Sequence, residues 1–106
     1  MLIALYRWKI RPGYEQQFID CWSEITLFYR ENYGSSGSRL HRGSDHLFYG
    51  YARWPSAEHR AKAFKIGEEH PARAALVESI EESYSEVLLE IVADLLVWNG
   101  EPSEPV

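Results

Sequence analysis

The run LIALYRWKI, residues 2–10, is the feature that most restricts the fold. Read as a strand, its even-numbered positions from Leu2 to Ile10 put apolar or aromatic side chains on one face, while Ile3 and Leu5 lie on the other. A strand with one face in water shows a cleaner alternation of apolar and polar residues. We therefore expect an inner strand with helices on one face and a partner surface on the other, because a single chain would leave one apolar face in water.

The remaining elements follow from periodicity and from turn residues. The first strand stops at Pro12-Gly13, and Gly34-Ser35-Ser36-Gly37 ends a helical stripe of apolar residues. Ser56 is the expected N-cap of a second helix, and Gly67 is expected in the left-handed position at its end. The predicted elements are a strand at 2–10, a helix at about 13–33, strands at 38–42 and 47–54, helices at about 57–66 and 71–83, and a strand at 86–98.

This order predicts one α+β domain over residues 1–98 with a loose C-terminal tail at 99–106. Right-handed crossovers place the helices on one face of a four-stranded antiparallel sheet, which is the ferredoxin-like split βαβ arrangement.

Charge and composition exclude several classes of partner. The net charge of −5 argues against nucleic acid or an anionic membrane as the main partner. No apolar run approaches the ~20 residues that cross a bilayer. The single Cys21 makes no internal disulfide, and the early charges are not typical of a secretory signal, so we expect a cytoplasmic protein.

Three segments, YRWKIRPGYEQQFIDCW, GSRLHRG and YGYARWPSAEH, resemble the antibiotic-biosynthesis-monooxygenase family of the dimeric α/β-barrel superfamily. The likeness runs over residues 2 to about 98. It implies a homodimer in which two sheets pack face to face, often with the last strand reaching across to the partner. It also implies a pocket between the sheet and the helices. Members of that family either oxidise fused-ring phenols with O₂, without metal or flavin, or bind and degrade haem.

The haem-degrading branch is disfavoured, because it uses an asparagine on the first strand and the asparagines here are Asn32 and Asn99. His41, Asp45 and His46 lie around the predicted hairpin turn and are either metal ligands or a polar, exposed hairpin end; we favour the second interpretation. No metal, haem or other cofactor is therefore expected. Cys21 is expected to be inert.

Aromatic residues supply the candidate ligand wall. Phe18 and Trp22 lie on the inward stripe of the first helix, where large apolar groups are core more often than ligand contacts. Tyr6, Tyr51 and Trp54 are strand candidates for the opposite wall. Since Tyr51 and Trp54 point to opposite faces of a regular strand, only one of the two is expected to serve.

Polar candidates complete the predicted site. Arg39 and Arg53 either stabilise an anionic substrate or pair with the acidic second half of the chain. His70 is either a junction residue at the start of the third helix or the base that converts a bound phenol into a phenolate.

The predicted function is a cofactor-independent monooxygenase that acts on a small aromatic or phenolic compound. The alternative is a non-catalytic, dimeric ligand-binding or scaffold domain in which the same rings are core and interface.

Overall fold

The computed structural model describes residues 1–98 and 101–102. Its elements are β1 (Leu2–Ile10), α1 (Glu15–Asn32), β2 (Ser38–Arg42), β3 (Phe48–Trp54), α2 (Ala57–Gly67), α3 (Arg73–Ser79), β4 (Ile80–Ser83), β5 (Val87–Leu89), β6 (Val97–Trp98) and β7 (Glu101–Pro102).

The main sheet is antiparallel and has the order β2-β3-β1-β4. β5 pairs with the same edge of β1 as β4 does, so β4 and β5 lie one after the other along that edge. The predicted ferredoxin-like α+β fold is confirmed, with β1 as an inner strand.

Two clusters of buried side chains hold the helices against the sheet. In the first, Phe18 of α1 packs with Ile10 and Phe48 of the sheet. In the second, Ala63 of α2 packs with Ala52 and Trp54 of β3. The residues of β3 that face the helices are therefore the even-numbered ones, and all four are buried.

The predicted start of α2 is confirmed in detail, and so is the turn before α1. The Ser56 hydroxyl accepts a hydrogen bond from the His59 backbone N–H at 3.2 Å, which satisfies an otherwise free donor of the first turn. Gly13 has φ +86°, a left-handed conformation that suits glycine and turns the chain from β1 into α1.

The predictions for the last third of the chain were wrong at two places. The third helix ends at Ser79, and residues 80–83 form a strand beside β1. β4 pairs with Trp8–Ile10, and the next strand, β5, pairs with Ile3–Leu5 further along that edge. The predicted long strand at 86–98 is therefore reduced to β5, followed by residues 90–96 without helix or strand.

β6 pairs with β7 in a separate two-stranded sheet. β7 covers two positions of the predicted loose tail, and the rest of that tail, 99–100 and 103–106, lies outside the described residues.

Gly67 does not have the left-handed conformation that was expected. It is the last residue of α2 and has no positive φ, and a β-carbon on it would be 2.0 Å from the Tyr29 hydroxyl. Its lack of a side chain thus lets Tyr29 approach the helix.

The face of the sheet opposite the buried clusters, here called the outer face, carries Ile3 and Leu5. Contrary to expectation, Ile3 is only 1% exposed within the single chain, and Leu5 is half-buried. Across the part of the chain that the structure describes, no helix is long and apolar enough to span a membrane.

Candidate functional site

A cavity of about 580 Å³ lies between the sheet and the three helices. This volume falls in the range of pockets that take small organic ligands. Here it is called the aromatic cavity, because six rings line it: Tyr6, Trp8, Trp22, Tyr29, Trp54 and Phe64. Ala52 and Ile25 add small and aliphatic surface between them.

Strand geometry brings the rings of β1 to this cavity. Tyr6 and Trp8 are two residues apart and therefore point to the same face. Their rings stack at 5.6 Å between centroids. Trp8 lies over Gly50 of β3, where a β-carbon would be only 2.8 Å from the Trp8 ring. A glycine at position 50 thus makes room for the indole.

Helical residues close the other side. Tyr29 of α1 stacks with Phe64 of α2 at 5.7 Å, and both rings contact Trp54, at 5.6 and 6.0 Å. Contacts of this kind add about 0.5–1.5 kcal/mol each beyond the burial of their surface. The wall is therefore held by mutual packing and is suited to a flat, apolar ligand.

Arg60 of α2 brings charge to the edge of this wall. Its Nε–H donates to the Tyr6 hydroxyl at 3.0 Å, and its guanidinium lies 4.4 Å from the centre of the Phe64 ring. The same guanidinium forms an ion pair with Glu86. Burial raises the pKa of Tyr6, and the bond from Arg60 partly opposes that rise, so Tyr6 is a neutral phenol at physiological pH.

Tyr29 is kept neutral in the same way. Burial raises the pKa of its phenol, and the charge of Arg73 partly opposes the increase. Arg73 itself is one of the lining residues, together with Glu68 and Glu81. Glu81 is engaged by Lys9 at 2.8 Å, and this contact lowers the pKa of the Glu81 carboxyl.

The indole N–H of Trp54 is buried and has no hydrogen-bond acceptor among the described residues. Trp54 as a whole is 1% exposed. Leaving a buried donor unpaired costs about 1–3 kcal/mol, and such a group in a native structure calls for an explanation.

The structure separates the predicted site residues into four groups. Tyr6, Trp22 and Trp54 line the aromatic cavity. Phe18 is fully buried beneath Trp8, at 5.2 Å between ring centroids, and belongs to the core.

The other three predicted contacts lie on the outer face. Arg39 is paired in register with Tyr51, and Arg53 is paired with Ile3, so all of them point away from the helices. Of the two alternatives on β3, Trp54 is thus the one on the cavity side.

His70 lies in the junction between α2 and α3. Its Nδ1 accepts a hydrogen bond from the Ala72 backbone N–H at 3.0 Å, and its ring packs 4.9 Å from that of Phe28. It is not among the residues that line the aromatic cavity. In this arrangement a neutral ring carries its proton on Nε2, so His70 accepts a further proton on Nδ1 only by giving up the bond to Ala72.

Sequence reasoning did not assign several residues at this site, among them Trp8, Tyr29, Phe64 and Arg60. Trp8 was detectable, since it shares the strand face of Tyr6. Tyr29 lies on the same helical stripe as Trp22. No local sequence pattern indicates Arg60, because its contact with Tyr6 joins residues 54 positions apart.

The hairpin turn shows no metal centre. Asp45 accepts hydrogen bonds from the Leu47 backbone N–H and from the Tyr49 hydroxyl, and these bonds lower the pKa of its carboxyl. Within residues 1–98 and 101–102, no group of three or more His, Cys, Asp or Glu side chains is arranged to hold a metal ion.

Cys21 is half-buried, and burial together with Glu24 and Asp20 raises the pKa of its thiol. A thiol with a raised pKa forms little thiolate and is a poor nucleophile.

Solved structures with this fold include oxygenases. SnoaB, a cofactor-independent oxygenase from Streptomyces nogalater solved as a variant, superimposes with a TM-score of 0.73 at 17% identity, over 89% of this chain and 95% of its own. A Bordetella bronchiseptica protein, proposed to be an antibiotic biosynthesis monooxygenase, superimposes with a TM-score of 0.73 at 16% identity. The match covers 87% of this chain and 97% of that protein. Rv0793 from Mycobacterium tuberculosis superimposes with a TM-score of 0.64 at 14% identity, over 88% of this chain and 96% of its own.

These identities are low, so the likeness shows the fold. The predicted resemblance to antibiotic biosynthesis monooxygenases is confirmed at that level. No protein-family model and no curated protein sequence matches the chain.

Proposed function

We propose that the protein is a cofactor-independent monooxygenase for a small, flat aromatic or phenolic compound. The observation that carries this proposal is the cavity walled by six aromatic rings between the sheet and the helices. The similarity of fold to a cofactor-independent oxygenase supports it.

In the proposed reaction the substrate supplies the electrons that reduce O₂. Removal of a phenol proton gives an electron-rich phenolate. In a balanced reaction, a ring CH₂ conjugated with that phenolate becomes C=O, one oxygen atom of O₂ enters the carbonyl, and the other leaves as water. The four electrons come from the substrate, and the chain's residues bind it, orient it and receive its proton.

Two side chains are candidates for receiving that proton. His70 lies at the junction of α2 and α3, outside the cavity lining, and must give up its bond to Ala72 to receive a proton on Nδ1. Glu68 is an acidic residue among those that line the cavity.

Replacing each candidate separately distinguishes them. We expect Glu68→Gln or His70→Ala to lower turnover of a fused-ring phenol by about 10²-fold or more, as loss of a general base does. O₂ uptake with 1,8-dihydroxyanthrone measures this turnover. His70→Gln is the matched control, because its side-chain oxygen still accepts a hydrogen bond from a neighbouring N–H. Unchanged turnover in Glu68→Gln and in both His70 variants would remove both assignments.

A second candidate function is a dimeric, non-catalytic ligand-binding domain of the same fold. The engagement of His70 by the Ala72 N–H favours it, because that bond gives His70 a structural role at the start of α3. Such a protein binds the aromatic compound in the same cavity and consumes no O₂.

A further inference from the structure

We propose that Tyr6 donates a hydrogen bond to an oxygen atom of the bound compound and that Arg60 sets the direction of this donor. The inference rests on the proposed function and deepens it. The expected ligand is an aromatic compound with a carbonyl or phenolate oxygen on its ring system. That oxygen lies at the Tyr6 end of the cavity.

The argument begins with what Arg60 can do. A guanidinium has only donors, so in its 3.0 Å contact with Tyr6 the tyrosine oxygen must be the acceptor. The hydroxyl hydrogen of Tyr6 then points away from Arg60. Within the described part of the chain, Arg60 is the one hydrogen-bond partner of this hydroxyl, so its hydrogen has no protein acceptor there.

Arg60 is itself fixed in place. Its side chain is 15% exposed, it is paired with Glu86, and it lies against the Phe64 ring. A guanidinium held by an ion pair and a ring contact has little freedom to turn away from Tyr6. The donated bond also withdraws electron density from the phenol oxygen, which strengthens Tyr6 as a donor.

The donor belongs to a residue of the cavity lining. Tyr6 lines the aromatic cavity, so a ligand that supplies an acceptor oxygen there pairs the hydroxyl hydrogen, whereas a pure hydrocarbon leaves it unpaired.

The test compares 9-fluorenone with fluorene, which have nearly the same shape and differ in the carbonyl oxygen. We expect the wild-type protein to bind fluorenone about tenfold more tightly in equilibrium dialysis, the equivalent of one hydrogen bond of about 1.4 kcal/mol. The infrared carbonyl stretch of bound fluorenone should lie at lower frequency than in an apolar solvent, as expected for an accepted hydrogen bond.

Two variants examine the two roles separately. Tyr6→Phe should abolish most of the preference and move the carbonyl stretch back towards its apolar value, while fluorene affinity stays the same. Arg60→Met keeps the apolar stem against Phe64 but removes the donor, so the preference should fall by about threefold. Arg60→Lys should restore part of it. Lys62→Met, an exposed position on the same helix, is the matched control and should change nothing.

The outcomes separate this inference from the proposed function. Equal affinity for the two compounds, or a preference that survives in Tyr6→Phe, would overturn the donor role of Tyr6 and leave the aromatic site standing. An unchanged carbonyl frequency in Arg60→Met would overturn the positioning role of Arg60. Failure of both compounds to bind would remove the aromatic site and this inference together.

Discussion

At the scale of single residues, two glycines determine where the aromatic side chains lie. Gly50 leaves space for the Trp8 ring, and Gly67 leaves space for the Tyr29 hydroxyl. Both effects are close approaches between elements rather than special backbone angles, since neither glycine has a positive φ. The sequence pattern marks Gly67 as a possible helix end, but it does not show which ring lies against it.

We predict that Gly67→Ala destabilises the protein by about 1–3 kcal/mol, as forced overpacking does. In an exposed helix interior the same change normally stabilises by about 1 kcal/mol, so the sign is diagnostic. Denaturant unfolding measures the change. Tyr29→Phe removes the atom nearest to the new methyl group and should restore part of the loss, although the ring carbons at 2.8 Å remain close. A stabilised Gly67→Ala protein would contradict the packing described for Tyr29.

The alternation of side chains along a strand explains which site residues could be predicted from the sequence. On β1 and β3 the even-numbered side chains share the cavity face, which places Tyr6 and Trp54 correctly. The same rule places Tyr51 and Arg53 on the outer face once the buried face of β3 is known. The sequence alone left that choice open, because both faces of β3 carry aromatic residues.

At the scale of elements, α1 combines core and cavity positions on one stripe. Phe18 is fully buried, whereas Trp22, one turn later, is half-buried and lines the cavity. Helical periodicity identified the stripe, but it did not distinguish these two roles, because both positions face the sheet.

Matched substitutions on α1 should separate packing from ligand binding. We predict that Phe18→Ala lowers the free energy of unfolding by about 3–5 kcal/mol and that Trp22→Ala costs about half of that. Trp22→Ala should also weaken binding of a fused-ring aromatic compound by about tenfold. Unfolding curves and equilibrium dialysis with fluorenone give the two quantities. A Trp22→Ala protein with full affinity and a stability loss as large as that of Phe18→Ala would make Trp22 a core residue.

The elements that the sequence misplaced all compete for one edge of β1. Continuous helical periodicity predicted α3 through Ser83, and alternation predicted a single strand from 86 to 98. Both local signals were overridden by pairing, since Ile80 leaves the helix to lie opposite Ile10. Strand pairing over such distances is not encoded in a local pattern.

At the scale of the whole molecule, exposed apolar side chains are concentrated between β5 and β6. Val92, Leu95 and Leu96 are 89%, 92% and 68% exposed. Large apolar groups this exposed favour an interaction surface. The predicted homodimer accounts for them if this segment packs against a second copy of the chain.

We predict a dimer at micromolar concentration that Leu95→Glu weakens by tenfold or more, because the substitution buries an unpaired charge at the contact. Leu27→Glu is the matched control, at a leucine that is also exposed but belongs to α1 and not to this segment. Light scattering of the wild-type protein and the two variants measures the masses. A wild-type monomer, or a dimer that Leu27→Glu disrupts and Leu95→Glu does not, would contradict this prediction.

The central claim is that the aromatic cavity is where an aromatic substrate reacts with O₂. Stoichiometric O₂ uptake tests it most directly, with 1,8-dihydroxyanthrone and two proteins: the wild type and Thr26→Trp. Thr26 is a half-buried residue of the cavity lining, so a tryptophan there occupies the space for the ligand. We predict one O₂ consumed per carbonyl formed by the wild type and at least tenfold slower uptake by a folded Thr26→Trp protein. Equal uptake by the two proteins, or no uptake above the buffer rate by either, would contradict the claim.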